Sequence, residues 1–203
     1  LPKFMPELPL VLLLSPHHAP MLSVKLPVSR RAQQRQALPF LLEENIADDI
    51  ENLHFVMANQ PLENGLSLVA YVNKTEFDTL LKPFQLHKRR LHAVVPALLM
   101  LPKTDAQTWL AWSDERHTLV RQSAYEGFIC TNERLAEWLG TQKNIINNQA
   151  LQLSLQGNPP TWLAPSVRDV GIAVLPLPAK NNFIFVPSEN QNYPLNLLAN
   201  SSQ

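Results

Sequence analysis

The sequence is poor in glycine, and the few glycines that it has are far apart. Among its 203 residues there are 5 glycines against 18 prolines. Loops that cradle phosphate groups need closely spaced glycines, because the backbone must approach the anion closely and often adopts a positive φ. Two glycines are never closer than 13 residues apart here, so neither a P-loop nor a GxGxxG motif can be written. A nucleotide site of those two types is therefore excluded.

Cysteine and net charge are also scarce. Cys130 is the one cysteine, which excludes an internal disulfide framework and fits a reducing compartment. The 17 basic side chains balance the 17 acidic ones. A neutral chain lacks the concentrated cationic surface that binds a phosphate backbone, so we expect no nucleic-acid partner.

Long hydrophobic runs are missing as well. The longest, Leu10 to Leu14, is far shorter than the roughly 18 to 20 residues that a bilayer requires. The N-terminal region carries Glu7 and several prolines and has no small-residue cleavage site, so it is not interpreted as a signal peptide. Because the chain begins without an initiator Met, we expect a fragment of a longer protein.

Motifs for catalysis or metal binding are not found. The sequence contains no GxSxG or HExxH motif, and Cys130 lacks the flanking residues typical of thiol enzymes. His17 and His18 are adjacent and point apart on any regular element, so they cannot chelate one ion as an i, i+4 pair would. We therefore predict no catalytic residue, no metal ligand and no bound cofactor.

The residues that are present alternate between strand and helix periodicity over the first hundred positions. Strands are predicted at 8–15, 21–27, 52–58, 66–72 and 91–96, and helices from Arg31 to Asp48 and from an N-cap at Thr75. From residue 21 onward the order is strand, helix, strand, strand, helix, strand. This βαββαβ order predicts an antiparallel sheet with two helices on one face.

A second unit is predicted after residue 100. Three short strands at 108–113, 116–122 and 126–130 form a meander, and a short helix follows that is capped by Asn132 or Thr131 and stopped by Gly140. Further strands are indicated at 151–155, 171–177 and 182–187, with a loop at 157–166. We predict a first lobe at 1–100, a second, β-rich lobe at 101–187 and a tail at 188–203.

The most distinctive polar feature is an acidic run beside an apolar segment. In the predicted helix, Leu41, Leu42 and Ile46 face the core, while Glu44 and Asp48 lie at i, i+4 on the opposite face and repel each other by a few tenths of a kcal/mol. Two interpretations stay open, a solvated face and a docking surface for a basic partner; paired catalytic carboxylates are the least favoured. The candidate partner-binding residues are Glu43, Glu44, Asp48, Asp49 and Glu51.

Three segments together resemble one protein family. Residues 38–43, "LPFLLE", followed by Ala47, Asp49 and "LHF" at 53–55, are similar to a signature of the cytoplasmic domain of the type II secretion inner-membrane protein GspL. The stretch "YVNKTEFDTLLKPFQLHKRRLHAVVPALLMLP" is similar to the next part of that family, and "YPLNLLANS" resembles the segment before its transmembrane helix. The resemblance covers roughly residues 20–135 well.

The resemblance implies a degenerate actin-like fold of the α/β class, in which the βαββαβ unit is an inserted subdomain and the opening strands of the first lobe are absent. It implies a non-enzymatic scaffold on the cytoplasmic face of the bacterial inner membrane, followed by a transmembrane helix that this chain lacks. The implied partners are the secretion ATPase GspE, through its N-terminal domain, the platform protein GspM and a second copy of the chain.

Two other function classes remain open. An adaptor of a type IV pilus would share the fold and differ in its partner. An actin-like ATPase or sugar kinase would need glycine-containing phosphate loops and an early Asp for the metal ion. These are missing from this sequence, although the N-terminal strands expected to be absent would house one of them. A hydrolase is less favoured still.

Overall fold

The computed structural model describes residues 10–27, 30–101, 108–113, 116–141, 152–156, 173–176 and 193–198. The chain divides into two compact units: the first takes in residues 1–14, 18–96 and 186–203, and the second residues 15–17 and 97–185. No helix formed by the described residues is long and apolar enough to cross a bilayer. The predicted lobe boundaries remain a prediction.

The centre of the first unit is a three-stranded antiparallel sheet. It contains β2 (Met21–Val24), β3 (Leu53–Met57) and β4 (Ser67–Asn73) in the order β2-β4-β3. The central strand β4 is rich in β-branched and small apolar residues, and its Leu68, Val69 and Ala70 are at most 1% exposed. The strands agree with those predicted from period-2 alternation.

The two helices of the first unit contact opposite faces of this sheet, which corrects the prediction of one shared face. Helix α1 (Arg31–Leu42) packs on the face that carries Met57 and Val69. Helix α2 (Lys74–Leu86) places Phe77 against His54, with ring centroids 5.8 Å apart. Because successive side chains of a strand point to opposite faces, His54 and Met57 lie on different sides of β3.

The last strand of the predicted βαββαβ unit also pairs differently from the expectation. Strand β5 (Leu91–Pro96) does not extend the three-stranded sheet but pairs in parallel with β1 (Leu10–Leu14). Its residues Ala93, Val94 and Val95 are at most 1% exposed. Such an uninterrupted apolar run is typical of a parallel strand that is buried on both faces.

Six residues near the C-terminus complete the first unit. Tyr193, Leu195 and Leu197 are 7%, 0% and 0% exposed, and the main-chain N–H of Leu197 donates to the carbonyl of Val94 at 2.7 Å. In the region predicted as a tail, this short segment is therefore part of the core of the first unit.

The elements of the second unit are β6 (Thr108–Ser113), β7 (His117–Arg121), β8 (Gly127–Thr131), α3 (Asn132–Thr141), β9 (Gln152–Gln156) and β10 (Ala173–Pro176). Its five strands form one sheet in the order β10-β9-β6-β7-β8. The meander of β6, β7 and β8 is antiparallel as predicted, while β9 joins β6 and β10 joins β9 in parallel. Helix α3 continues through Gly140, which the prediction had taken as its end. The strand predicted at 182–187 and the loop predicted at 157–166 lie outside the described residues.

Candidate docking surface

Helix α1 positions the candidate surface, and both of its ends are fixed to the sheet. Near its start, the Arg31 guanidinium donates to the main-chain carbonyls of Ala58 at 2.9 Å and Asn59 at 2.7 Å, just after β3. Towards its end, Leu38 and Leu42 are 1% and 2% exposed. Since they stand four residues apart, they form one apolar stripe along the helix and anchor it in the core.

The helix ends at Leu42, six residues before the predicted end. Residues 43–45 continue as a single 3-10 turn, and Ile46 is extended with φ −120° and ψ 128°. Glu44 and Asp48 therefore do not lie at i, i+4 on a helix. The repulsion that was predicted from this helical spacing does not apply. The prediction that Leu41 faces the core is also wrong, because its side chain is 41% exposed.

The five candidate carboxylates are nevertheless all exposed on the stretch between α1 and β3. Glu43 and Glu44 occupy the 3-10 turn directly after the helix. Ile46, which is 8% exposed, packs with Leu42 in the core and holds the middle of the stretch against the protein. Among the described residues, no lysine or arginine side chain lies within salt-bridge distance of these five carboxylates.

Asp49 has a structural role that the sequence did not indicate. Its carboxylate accepts hydrogen bonds from the main-chain N–H of Glu51 at 3.2 Å and from the side-chain amide of Asn52 at 3.1 Å. It thereby caps the 3-10 turn Ile50–Asn52 that leads into β3. The main-chain carbonyl of Glu51 accepts a hydrogen bond from the ammonium group of Lys74 at 2.7 Å. The carboxylate of Glu51 takes no part in that bond, and the residue is exposed.

Asp48 acts on a neighbouring aromatic residue. Burial raises the pKa of the Tyr71 hydroxyl, and the negative charge of Asp48 raises it further. The Tyr71 ring lies on the face of the sheet that α1 covers and packs against Phe55, with centroids 5.9 Å apart. The negative charge of Asp48 therefore acts on the Tyr71 hydroxyl, which belongs to the face of the sheet that α1 covers.

Sequence reasoning missed the apolar part of this surface. Phe40 is 73% exposed and Leu41 is 41% exposed, directly before Glu43 and Glu44. An apolar pair exposed in one turn, with acidic residues at its border, is an arrangement of the kind found at protein–protein contacts. The exposure of Phe40 could have been predicted from the spacing of the apolar residues. Leu38 and Leu42 form the buried stripe, and Phe40, two residues from each, lies on the opposite side of the helix.

A cavity in the first unit and a thiol in the second are weaker candidates for a site. An open cavity of about 300 Å³ lies between the start of α1, the end of β3 and the start of β4, with Arg31, Gln34, Met57 and Asn59 in its wall. The Arg31 guanidinium is already directed at main-chain carbonyls there. In the second unit, burial raises the pKa of the half-buried Cys130 thiol, which keeps it protonated and poorly nucleophilic.

The fold resembles that of a bacterial secretion protein. The cytoplasmic domain of EpsL, an inner-membrane component of the type II secretion system of Vibrio cholerae, superposes with a TM-score of 0.58 at 25% sequence identity. The match covers 74% of this chain and 62% of that one. Its fold is actin-like, so the predicted actin-like α/β fold is confirmed.

Sequence comparisons then define the family. The family model described as type II secretion system (T2SS), protein L matches residues 4–192. The type II secretion system protein L of Dickeya chrysanthemi is 35% identical over 95 residues. The chain therefore belongs to the type II secretion system protein L family, as its resemblance to GspL predicted. The aligned residues make up 47% of this chain and span 22% of the Dickeya protein.

Proposed function

We propose that this chain is a non-enzymatic scaffold of the type II secretion inner-membrane platform that recruits the secretion ATPase GspE. Its membership of the protein L family carries this proposal, since the solved relative is the cytoplasmic domain of an inner-membrane component. On this proposal the domain lies at the cytoplasmic face of the inner membrane and also associates with GspM and with a second copy of itself.

We further propose that GspE docks through its N-terminal domain on a surface made of Phe40, Leu41 and the acidic stretch. This α1 surface consists of Phe40, Leu41, Glu43, Glu44, Asp48, Asp49 and Glu51. A basic partner with an apolar side chain in its contact face would complement it. The carboxylates would mainly guide association, while burial of Phe40 would hold the complex together.

The chemistry of the chain favours this scaffold over an actin-like nucleotide-binding protein. The sequence contains neither a P-loop nor a GxGxxG motif, and its five glycines lie at least 13 residues apart. Calorimetric titration with ATP and Mg²⁺ tests the alternative, and tight nucleotide binding would favour it. A type IV pilus adaptor is disfavoured by the match to type II secretion protein L over most of the chain.

Charge reversal tests the docking proposal. Replacement of Glu43, Glu44, Asp48 and Asp49 by Lys is expected to weaken binding of a GspE N-terminal domain by at least about tenfold, because the attraction becomes repulsion. Asp49 caps a turn, so a triple variant that retains it separates the loss of charge from the loss of the cap. Binding is measured by calorimetry at low and at moderate salt.

The matched control reverses three exposed carboxylates outside the α1 surface, at Glu63, Asp78 and Glu133. It has the same net charge as the triple variant and is expected to bind nearly as well as the wild type. If both triple variants weaken binding equally, general charge rather than the α1 surface is responsible. Unchanged binding by the four-residue variant at both salt concentrations would rule the docking proposal out.

A further inference from the structure

The end of helix α2 carries a basic cluster around an exposed leucine. Leu86, the last residue of the helix, is 80% exposed. Lys82 stands one turn before it, Lys88 and Arg90 follow just after it, and all three are exposed. In the part of the chain that the structure describes, no carboxylate lies within salt-bridge distance of these three cations. These four residues form the basic end of α2.

The main chain holds Lys88 in a conformation that suits glycine better. Its φ is +50°, in the left-handed region that residues with a side chain disfavour. Its N–H donates to the carbonyl of Gln85 at 3.0 Å, and the N–H of Arg89 donates to the carbonyl of Phe84 at 2.7 Å. This pair of hydrogen bonds forms a Schellman motif, in which glycine is the usual residue at the position of Lys88. The lysine thus places a charge beside Leu86 at a cost in backbone energy, which points to a use of its side chain at the surface.

The basic end of α2 and the α1 surface belong to helices on opposite faces of the three-stranded sheet. Helix α1 covers one face, and α2 contacts the other through Phe77. The start of α2 lies at the acidic stretch, since the ammonium group of Lys74 donates to the carbonyl of Glu51 at 2.7 Å. The 13 residues of the helix then carry Leu86 about 20 Å away from that start. The first unit therefore offers two separate surfaces that can be contacted at the same time.

The two surfaces are complementary. On the α1 surface, Phe40 is 73% exposed and is followed by the exposed carboxylates of Glu43 and Glu44. At the basic end of α2, the exposed apolar side chain is Leu86 and the charges around it are positive. Contact between the two would bury an apolar side chain of each and bring opposite charges together at the border, as in protein–protein interfaces with an apolar centre and a polar rim. The net charge of the chain is zero, so whole copies do not repel each other.

We propose that the basic end of α2 binds the α1 surface of a second copy of this chain, head to tail. This assignment rests on the proposed association with a second copy, for which it supplies the surface, and it does not depend on GspE binding. Because each copy uses two different surfaces, the contact is heterologous and repeats along a row of copies. GspE and a neighbouring copy exclude each other at the α1 surface.

The contact is expected to be weak. Each surface contributes only a few side chains, which is typical of small, transient interfaces, so we expect a dissociation constant of about 0.1 mM or weaker. The chain is then mostly monomeric at the micromolar concentrations of a GspE titration. For this reason substitution of Leu86 has little effect on that titration, although Leu86 takes part in the contact between copies.

A charge exchange between the two surfaces tests the proposal by sedimentation equilibrium at low salt. One variant combines Glu43→Lys with Glu44→Lys, and the other combines Lys88→Glu with Arg90→Glu. Each variant alone is expected to self-associate at least about fivefold more weakly than the wild type, because its two surfaces then carry the same sign. An equimolar mixture is expected to associate within about twofold of the wild type, since each reversed surface meets a complementary one on the other variant.

Two controls separate the contact from general charge and from folding. Lys25→Glu with Arg134→Glu changes two exposed cations outside both surfaces, has the same net charge as the α2 variant and is expected to associate as the wild type does. Lys88→Gly is expected to raise the urea midpoint, because glycine tolerates the positive φ, and to weaken self-association by about threefold. A residue with a merely structural role would not combine a gain in stability with a loss of association.

The outcomes distinguish this proposal from the wider proposed function. Unchanged self-association of the Lys88→Glu, Arg90→Glu variant, or no restoration in the mixture, would overturn the head-to-tail contact alone. A wild type that stays monomeric up to about 1 mM would overturn the proposed association with a second copy as well. Vesicles that contain phosphatidylglycerol provide a last comparison. If the wild type binds them and the α2 variant does not, while both self-associate equally, the basic end contacts anionic lipid and the proposal is wrong.

Discussion

At the scale of single residues, ionisable side chains inside the two units are held by main-chain carbonyls. Arg121 on β7 is 2% exposed, and its guanidinium donates to the carbonyls of Leu101, Ser123 and Ala124. Burial lowers the pKa of Arg121, and burial likewise lowers that of His54. The hydrogen bonds of such side chains connect loops to strands. Their burial costs free energy, because a group that is charged or can become charged loses its contact with water.

His54 makes the stability of the first unit depend on pH. Burial lowers its pKa from the ordinary value of 6.5, and Lys74 lowers it further, while the hydrogen bond to Leu197 opposes the shift. As the pH falls below 6.5, the unfolded chain takes up a proton before the folded one. The contribution of His54 is therefore fully present above that pH and is lost as the pH falls through the lowered folded value.

The variant His54→Gln retains a side-chain donor but does not titrate. Between about pH 7.5 and about pH 5, the urea midpoint of the wild type is expected to fall further than that of the variant. The exposed His87 supplies the control, since His87→Gln is expected to leave the pH profile of the wild type unchanged. Parallel profiles for the wild type and His54→Gln would contradict this explanation.

At the scale of elements, the start of α2 differs from the prediction by two residues. The N-cap is Asn73, whose side-chain oxygen accepts from the N–H groups of Thr75 at 3.0 Å and Glu76 at 3.2 Å. The prediction placed this N-cap at Thr75. Asn73 is also the last residue of β4, so strand pairing places Asn73, rather than Thr75, at the helix boundary.

Replacement of Asn73 by Ala is expected to lower the free energy of unfolding by about 1 kcal/mol, because two N–H groups of the first turn lose their acceptor. Thr75→Ala is the control and is expected to change it by less than about 0.5 kcal/mol. Both values come from urea unfolding at neutral pH. An equal cost for the two substitutions would contradict the cap at Asn73, and a larger cost for Thr75→Ala would place the cap at Thr75.

The end of α1 shows why the candidate surface could be predicted only in part. The acidic residues and the apolar stripe through Leu38, Leu42 and Ile46 could be recognised from composition and spacing. The stripe continues past the helix because Ile46 returns to the core from an extended segment rather than from another helical turn. Periodicity alone does not separate those two cases. For this reason the exposure of Leu41 was not predicted.

At the scale of the whole molecule, the order of elements could be predicted far better than their pairing. Nearly every described strand lies where alternation placed it, because side-chain periodicity is a local property. The partner of β5 and the position of Tyr193–Leu198 depend on contacts between residues more than 75 positions apart along the chain, as the pairing of Leu14 with Pro96 shows. Sequence reasoning from local patterns gives no access to such contacts.

The central claim is that this family member acts by docking a partner on the α1 surface. The most direct measurement is the affinity of a GspE N-terminal domain for the variant Phe40→Ser beside the variant Leu86→Ser. Phe40 and Leu86 are 73% and 80% exposed, so neither substitution disturbs the core. Phe40→Ser is expected to weaken binding by at least about tenfold, and Leu86→Ser by less than about twofold. Equal effects of the two substitutions would contradict the claim.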